Sequence, residues 1–337
     1  MKKSFQIDDV FRIEFLLKNK IGLIQSNFFI CLNDINQAVW KLDFSSPPVS
    51  KYFNNDKFNF SLNTSIYQFD ISKGQIITDL NLDFYPETID ENLIIGSRFG
   101  KLFTYDCIQK ETILNNKYDG NIIGIIKSTV FIANKSFLIS QLALTKASLW
   151  QKNLNELLDS SEVSIYANLL HVIGDKLFLF AYDPNWENYA TLCLDINTGE
   201  LIKRIEMGAY LYKHNDAIYT VNGQFINQLD PETFEIKSVD LSSQLKDNNL
   251  IIDGEHSFFF GDKLYFAAKP GDRAIRSVLG VLDLNNHQLL ETKELLINPE
   301  QPATNDNRYQ IEEIKANDKL VAVNTAGGTL HVFEVER

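Results

Sequence analysis

The sequence predicts an all-β propeller of four-stranded antiparallel blades, and three observations carry that prediction. Apolar and aromatic residues alternate with a period of two rather than 3.6, a short unit recurs along the whole chain, and its copies pivot on a shared polar turn. The clearest copy is residues 176–207, KLFLFAYDPNWENYATLCLDINTGELIKRIEM. Residues 176–182 and 190–195 alternate as strands, and Asp195-Ile196-Asn197-Thr198-Gly199 turns the chain into another strand at 201–207. Gly199 tolerates the positive φ of such a turn, while Asp195 and Asn197 can bond backbone amides within it.

Aligned on Asp195, eight copies emerge, anchored at Asn33, Asp70, Asp106, Leu142, Asp195, Asp230, Asp283 and Glu334. Each of the first seven anchors is followed by a polar turn and a further strand, which makes the anchor the end of a third strand. Second strands are read at 93–98, 129–135, 176–182, 217–222, 263–269 and 319–325, and inner strands at 121–127, 169–174, 210–215, 257–262 and 311–317. The last copy stops after its third strand. An N-terminal strand, at 3–7 or 11–17, is therefore expected to complete that blade and close the ring, removing an open sheet edge. The count is eight blades in a single domain, 1–337; seven blades is the alternative if the weak copy around Asp70 is absorbed elsewhere.

The pattern Leu-Asp-x-x-Thr-Gly-x-x-x-Trp resembles the repeat of PQQ-type propellers, and the blade pattern is also similar to WD40-type repeats. LDINTGELIK (194–203) matches all but the Trp, which is Lys203; Trp40 and Trp150 occupy or nearly occupy that place in their own copies. The resemblance implies the fold. Quinoproteins of the PQQ type are exported and bind a calcium-bound quinone, and neither export nor that site is evident in these residues, so no cofactor is expected.

Charge and cysteine content narrow the function. A net charge of −12 and a pI near 4.9 oppose binding to nucleic acid or anionic membrane and favour a neutral or basic partner. Cys31, Cys107 and Cys193 are odd in number and far apart, as expected of buried, inert thiols. Lys2 and Lys3 are followed by Asp8, Asp9 and Arg12 where a secretion signal needs an apolar core, so a cytoplasmic location is expected.

Anchor spacings of 37, 36, 36, 53, 35, 53 and 51 residues concentrate extra length in three intervals. The insertions fall at 45–55, 159–167, 183–189, 242–254, 269–277 and 298–308, in connections that the four-strand scheme assigns to one propeller face. Two insertions carry side chains suited to recognition. The first holds Tyr182, Asp183, Trp186, Glu187 and Tyr189, and the second holds Lys269, Asp272, Arg273 and Arg276. The competing reading is that Trp186 packs over a blade edge and that the basic loop is a solvated turn.

Motifs for catalysis are missing: the sequence has no Gly-x-Ser-x-Gly, Walker loop, His-Glu-x-x-His or paired Cys spacing. The histidines are scattered singly, with His171 and His214 in candidate inner strands, so no catalytic or metal residue is assigned. Asp183-Pro-Asn-Trp-Glu187 superficially resembles a calcium loop but lacks the Gly and the closing Glu. The expected function is a non-enzymatic, monomeric interaction module that captures a basic protein, by analogy with bacterial immunity proteins that neutralise a toxin. The alternative is a hydrolase or lyase acting on a saccharide, with carboxylates or His from several blades meeting in the central channel.

Overall fold

The recurring Asp proves to be a turn-builder. The computed structural model describes residues 1–337 apart from 18–19, 26–27, 44–50, 55–56, 63, 90–92, 99–100, 116–119, 127–128, 143–144, 146, 167–169, 209, 247–248, 272–273, 296–306 and 336–337. In it, Asp195 Oδ1 accepts from the backbone N–H groups of Asn197 and Thr198 at 2.9 and 2.8 Å, and Asp106, Asp230 and Asp283 bond the same two positions after themselves. Four residues beyond the anchor the backbone is left-handed, at Gly74, Lys110, Gly199, Phe234 and His287, so the turn geometry tolerates residues other than glycine.

The chain folds as an eight-bladed propeller of antiparallel sheets. Seven blades have four strands; in the eighth sheet, 164–205, the inner strand is broken into Ser164–Ile165 and His171–Ile173, both paired with Lys176–Tyr182. All eight anchors lie at the end of a third strand or one residue past it. Contacts group the blades into two compact units.

One unit comprises Met1–Phe44 and Tyr210–Arg337. Here the strand Lys2–Ile7 pairs antiparallel with Leu330–Glu334 and completes the last blade, as expected. Val10–Leu17, the other candidate, is instead the inner strand of the first blade, because it pairs with Lys20–Gln25. Phe5 and Ile7, opposite Val332 and Leu330, pack against an apolar cluster drawn from the first and last blades, so the pairing also buries apolar surface between blades.

The other unit is Ser45–Ala209, with four blades whose facing sides form the cores. Leu138, Trp150, Leu177, Leu179 and Leu192 join two neighbouring blades there. The repeat's Trp acquires a physical role in this place. Trp150 lies over Gly199 of the following blade's turn, where a Cβ would fall 2.6 Å from the indole, and its Nε1–H donates to Ile196 O at 2.9 Å. Lys203 pairs with Cys193 as Trp150 pairs with Ser140, two residues before each anchor, so the two positions are equivalent.

Two short helices, Leu154–Leu158 just before the insertion 159–167 and Ser242–Lys246 inside the insertion 242–254, follow the outer strands of their blades and anchor through buried Leu154, Leu158 and Leu245. The inner strand expected at 257 begins earlier, at Leu250, and Lys51–Asn54 within the first insertion is the inner strand of its blade. Residues 298–306, most of 45–55, and both Asp272 and Arg273 lie outside the described residues.

Candidate binding surfaces

The first insertion is a hairpin tip built by one buried carboxylate. Tyr182 and Tyr189 are the facing ends of two paired strands, and the chain between them folds around Asp183. Asp183 accepts from Glu187 N at 2.9 Å, Asn188 N at 3.0 Å and Asn188 Nδ2 at 2.9 Å, and its backbone N–H donates to Asn188 O. Burial pushes the Asp183 carboxyl up, but the hydrogen bonds from Asn188, Glu187 and Asn185 outweigh it and hold the group below the usual carboxylate range. Asp183 was expected as a recognition residue; its oxygens are engaged inside its own loop.

That scaffold presents an aromatic surface. Trp186 stacks on Tyr182 with centroids 4.3 Å apart and planes at 17°, and the Phe180 centroid lies about 6 Å from both rings. Trp186 is still 47 % exposed and Tyr189 46 % exposed. The Trp186 backbone has φ = 60°, a left-handed conformation that costs a bulky residue about 1–2 kcal/mol. Such an outlier is retained where the surroundings over-determine it, and the Asp183 network does so. Trp186→Asn removes the stack, worth roughly 0.5–1.5 kcal/mol, and relieves much of the strain. Its stability by urea denaturation is therefore expected within about 1 kcal/mol of wild type; a loss above about 2 kcal/mol would make the indole part of the core rather than a surface.

The second insertion, 269–277, lies in the other unit, and its Arg276 reaches a bulge in the inner strand Leu250–Phe260. The inner strand Leu250–Phe260 carries three extra residues, Gly254, Glu255 and His256, between Asp253, which faces Ala267, and Ser257, which faces Phe266. Gly254 is required because a Cβ there would lie 2.0 Å from Val221 O of the adjacent blade. The Tyr212 hydroxyl lies 2.6 Å from Gly254 O and 2.8 Å from Glu255 O, and burial pushes its phenol up to about 12, so it remains a donor at neutral pH.

Arg276 closes this bulge. Its Nε donates to Ile311 O at 2.8 Å, while its terminal nitrogens reach Asp253 Oδ2 and Glu312 Oε1 at 3.3 Å and His256 Nε2 at 3.0 Å. His256 Nε2 then accepts from the guanidinium, and its Nδ1–H faces Asp253 Oδ1 at 3.2 Å. Asp253, Glu255 and His256 bring ligand-type atoms within 4.8 Å of one another, yet Arg276 already provides the cation for two of them. Arg276, expected as a contact residue, is thus a clasp between two blades. Lys269 ends up in the strand Lys263–Pro270 and lines a recess of about 330 Å³ with Tyr210, Asn222, Glu255 and Ala274.

Sequence reasoning missed Asp253, Glu255, His256 and Glu312. Their signal was present: Asp-Gly-Glu-His interrupts the apolar run from Leu250 to Phe260, as a bulge does. His214, raised as a possible channel residue, bonds Gly261 O at 2.8 Å.

No protein-family model matches the sequence, and no curated protein matches it. Solved structures match the fold. A computationally designed protein, Ika8, is 12 % identical with a TM-score of 0.66, covering 99 % of this chain and 100 % of that one. The C-terminal WD40 domain of Sif2 is 10 % identical with a TM-score of 0.65, covering 100 % and 98 %. BamB from Moraxella catarrhalis is 12 % identical with a TM-score of 0.56, covering 99 % of each chain. These likenesses define the chain as a β-propeller similar to WD40-type and BamB-type propellers, without a sequence family.

Proposed function

We propose that the protein is a non-enzymatic interaction module that captures a basic protein partner through the hairpin 182–189. The observation that carries this reading is the stack of exposed Trp186 on Tyr182, held in a strained backbone by the carboxylate network that closes the hairpin. A surface prepared in advance loses little conformational entropy on binding, which is what an aromatic anchor needs. Propellers of the WD40 type generally serve as scaffolds for protein partners, and the net charge of −12 adds long-range attraction for a cationic one. Neutralisation of a basic toxin by a bacterial immunity protein is the specific form of this reading.

The test takes a protein captured from the native host and measures its binding kinetics at two salt concentrations. The partner is expected to be basic, with an on-rate that falls as salt rises from about 0.1 M to 1 M and the Debye length shrinks from about 10 to 3 Å. Trp186→Ala is expected to act mainly on the off-rate, by the roughly 2 kcal/mol of a buried anchor, or about thirtyfold. An acidic partner whose on-rate ignores salt, and whose binding is untouched by changes at Trp186, Glu187 and Tyr189, would overturn the proposal.

A further inference from the structure

The indole of Trp186 is distinguished by what does not cover it. Among the described residues, three other aromatic rings are capped by lysines: Lys41 Nζ lies 3.1 Å from the Phe28 centroid, Lys293 Nζ 4.9 Å from Phe333, and Lys315 Nζ 5.8 Å from Phe258. Tryptophan attracts a cation more strongly than phenylalanine does, yet among the described residues no cation of the chain stands over Trp186. Tyr182 stacks on the indole at 4.3 Å, and with that contact made Trp186 is still 47 % exposed. Glu187, the next residue, is exposed, and its carboxylate forms no ion pair among the described residues.

We infer that the exposed indole of Trp186, flanked by Glu187, is a receptor for a single arginine side chain of the partner. This rests on the interaction reading above and names the chemistry that the site would take. A guanidinium is planar, is less strongly hydrated than an ammonium, and stacks on an indole while its edge donates to a carboxylate. Arginine therefore satisfies both Trp186 and Glu187, whereas lysine must choose a point contact with one. Asp183 does not compete for the ligand, because its oxygens are held by the loop.

The probes are a tetra-arginine peptide, the matching tetra-citrulline peptide, which keeps the shape without the charge, and tetra-lysine. The readout is the indole N–H resonance of Trp186, assigned with Trp186→Phe. Trp150 serves as an internal control, since its indole is buried and donates to Ile196 O. Tetra-arginine is expected to shift the Trp186 signal saturably, tetra-lysine to do so with weaker affinity, and tetra-citrulline to leave it in place. Trp186→Leu is expected to weaken tetra-arginine binding about threefold to tenfold, and Glu187→Gln by a smaller factor. A shift of equal size with tetra-citrulline, no shift with tetra-arginine, or undiminished tetra-arginine binding to a folded Trp186→Leu protein would each overturn the assignment. In the last case, salt-sensitive capture of a basic partner would survive without Trp186, so the two failures are distinguishable.

Discussion

Removal of residues 1–7 is expected to yield insoluble or protease-sensitive protein. The deletion strips the outer strand from the last blade, exposes the ladder groups of Leu330–Glu334, and uncovers the apolar contact that Phe5 and Ile7 make with Leu330 and Val332. These losses should amount to about 5 kcal/mol, a large part of the roughly 5–15 kcal/mol that holds a domain together. Because Val10–Leu17 belongs to another blade, the cut can be confined to one strand. A synthetic peptide of residues 1–9, supplied in trans during refolding, is expected to restore solubility by adding the missing strand. An unchanged melting temperature after the deletion would show that the pairing contributes little.

Arg276→Met is expected to cost about 3 kcal/mol at neutral pH. The aliphatic replacement keeps most of the volume but leaves Asp253 and Glu312 without their shared cation, and Ile311 O without its donor. The pH dependence distinguishes this from a packing defect. Burial raises the Asp253 carboxyl, but His256 and Arg276 together bring it below its ordinary value of 3.8. A depressed carboxyl stabilises the fold above its unfolded value and loses that contribution as pH falls through the folded one. Without Arg276 the carboxyl rises, so the gap between variant and wild type should narrow as the pH is lowered through 3.8 and below. A gap that stays constant from neutral pH down to about pH 2 in urea titrations would assign the loss to packing alone.

The parts legible in the sequence are those fixed by local chemistry. Asp70, Asp106, Asp195, Asp230 and Asp283 recur because each bonds nearby groups within its own turn, a requirement visible without knowing the fold. Aligning the other segments on the position of Asp195 located all eight blades, including the three whose anchors are Asn33, Leu142 and Glu334. Features decided by contacts between distant segments were not legible. Nothing local shows that the strand before Ile173 must break in two, or that Gly254 must lack a side chain because Val221 O approaches it. The helix Leu154–Leu158 did leave a trace, an apolar pair four residues apart in a chain otherwise of period two. At the candidate surfaces the residue types were legible, and the bonds they make within the protein were not. Asp183 and Arg276 look like contact residues in sequence, and each is consumed by the structure that supports its neighbours.

The pairing of Lys2–Ile7 with Leu330–Glu334 also sets a timetable for biosynthesis. The first strand leaves the ribosome early, yet its partner follows more than 300 residues later, roughly 15–65 s at about 5–20 residues per second. Throughout that interval an unpaired strand containing Phe5 and Ile7 trails from a growing chain whose earlier blades can already fold. The charged and polar residues Lys2, Lys3, Ser4 and Gln6 that interleave with these apolar side chains suit a segment that must wait in water. Translation speed is thus a variable on which the yield of correctly assembled protein should depend.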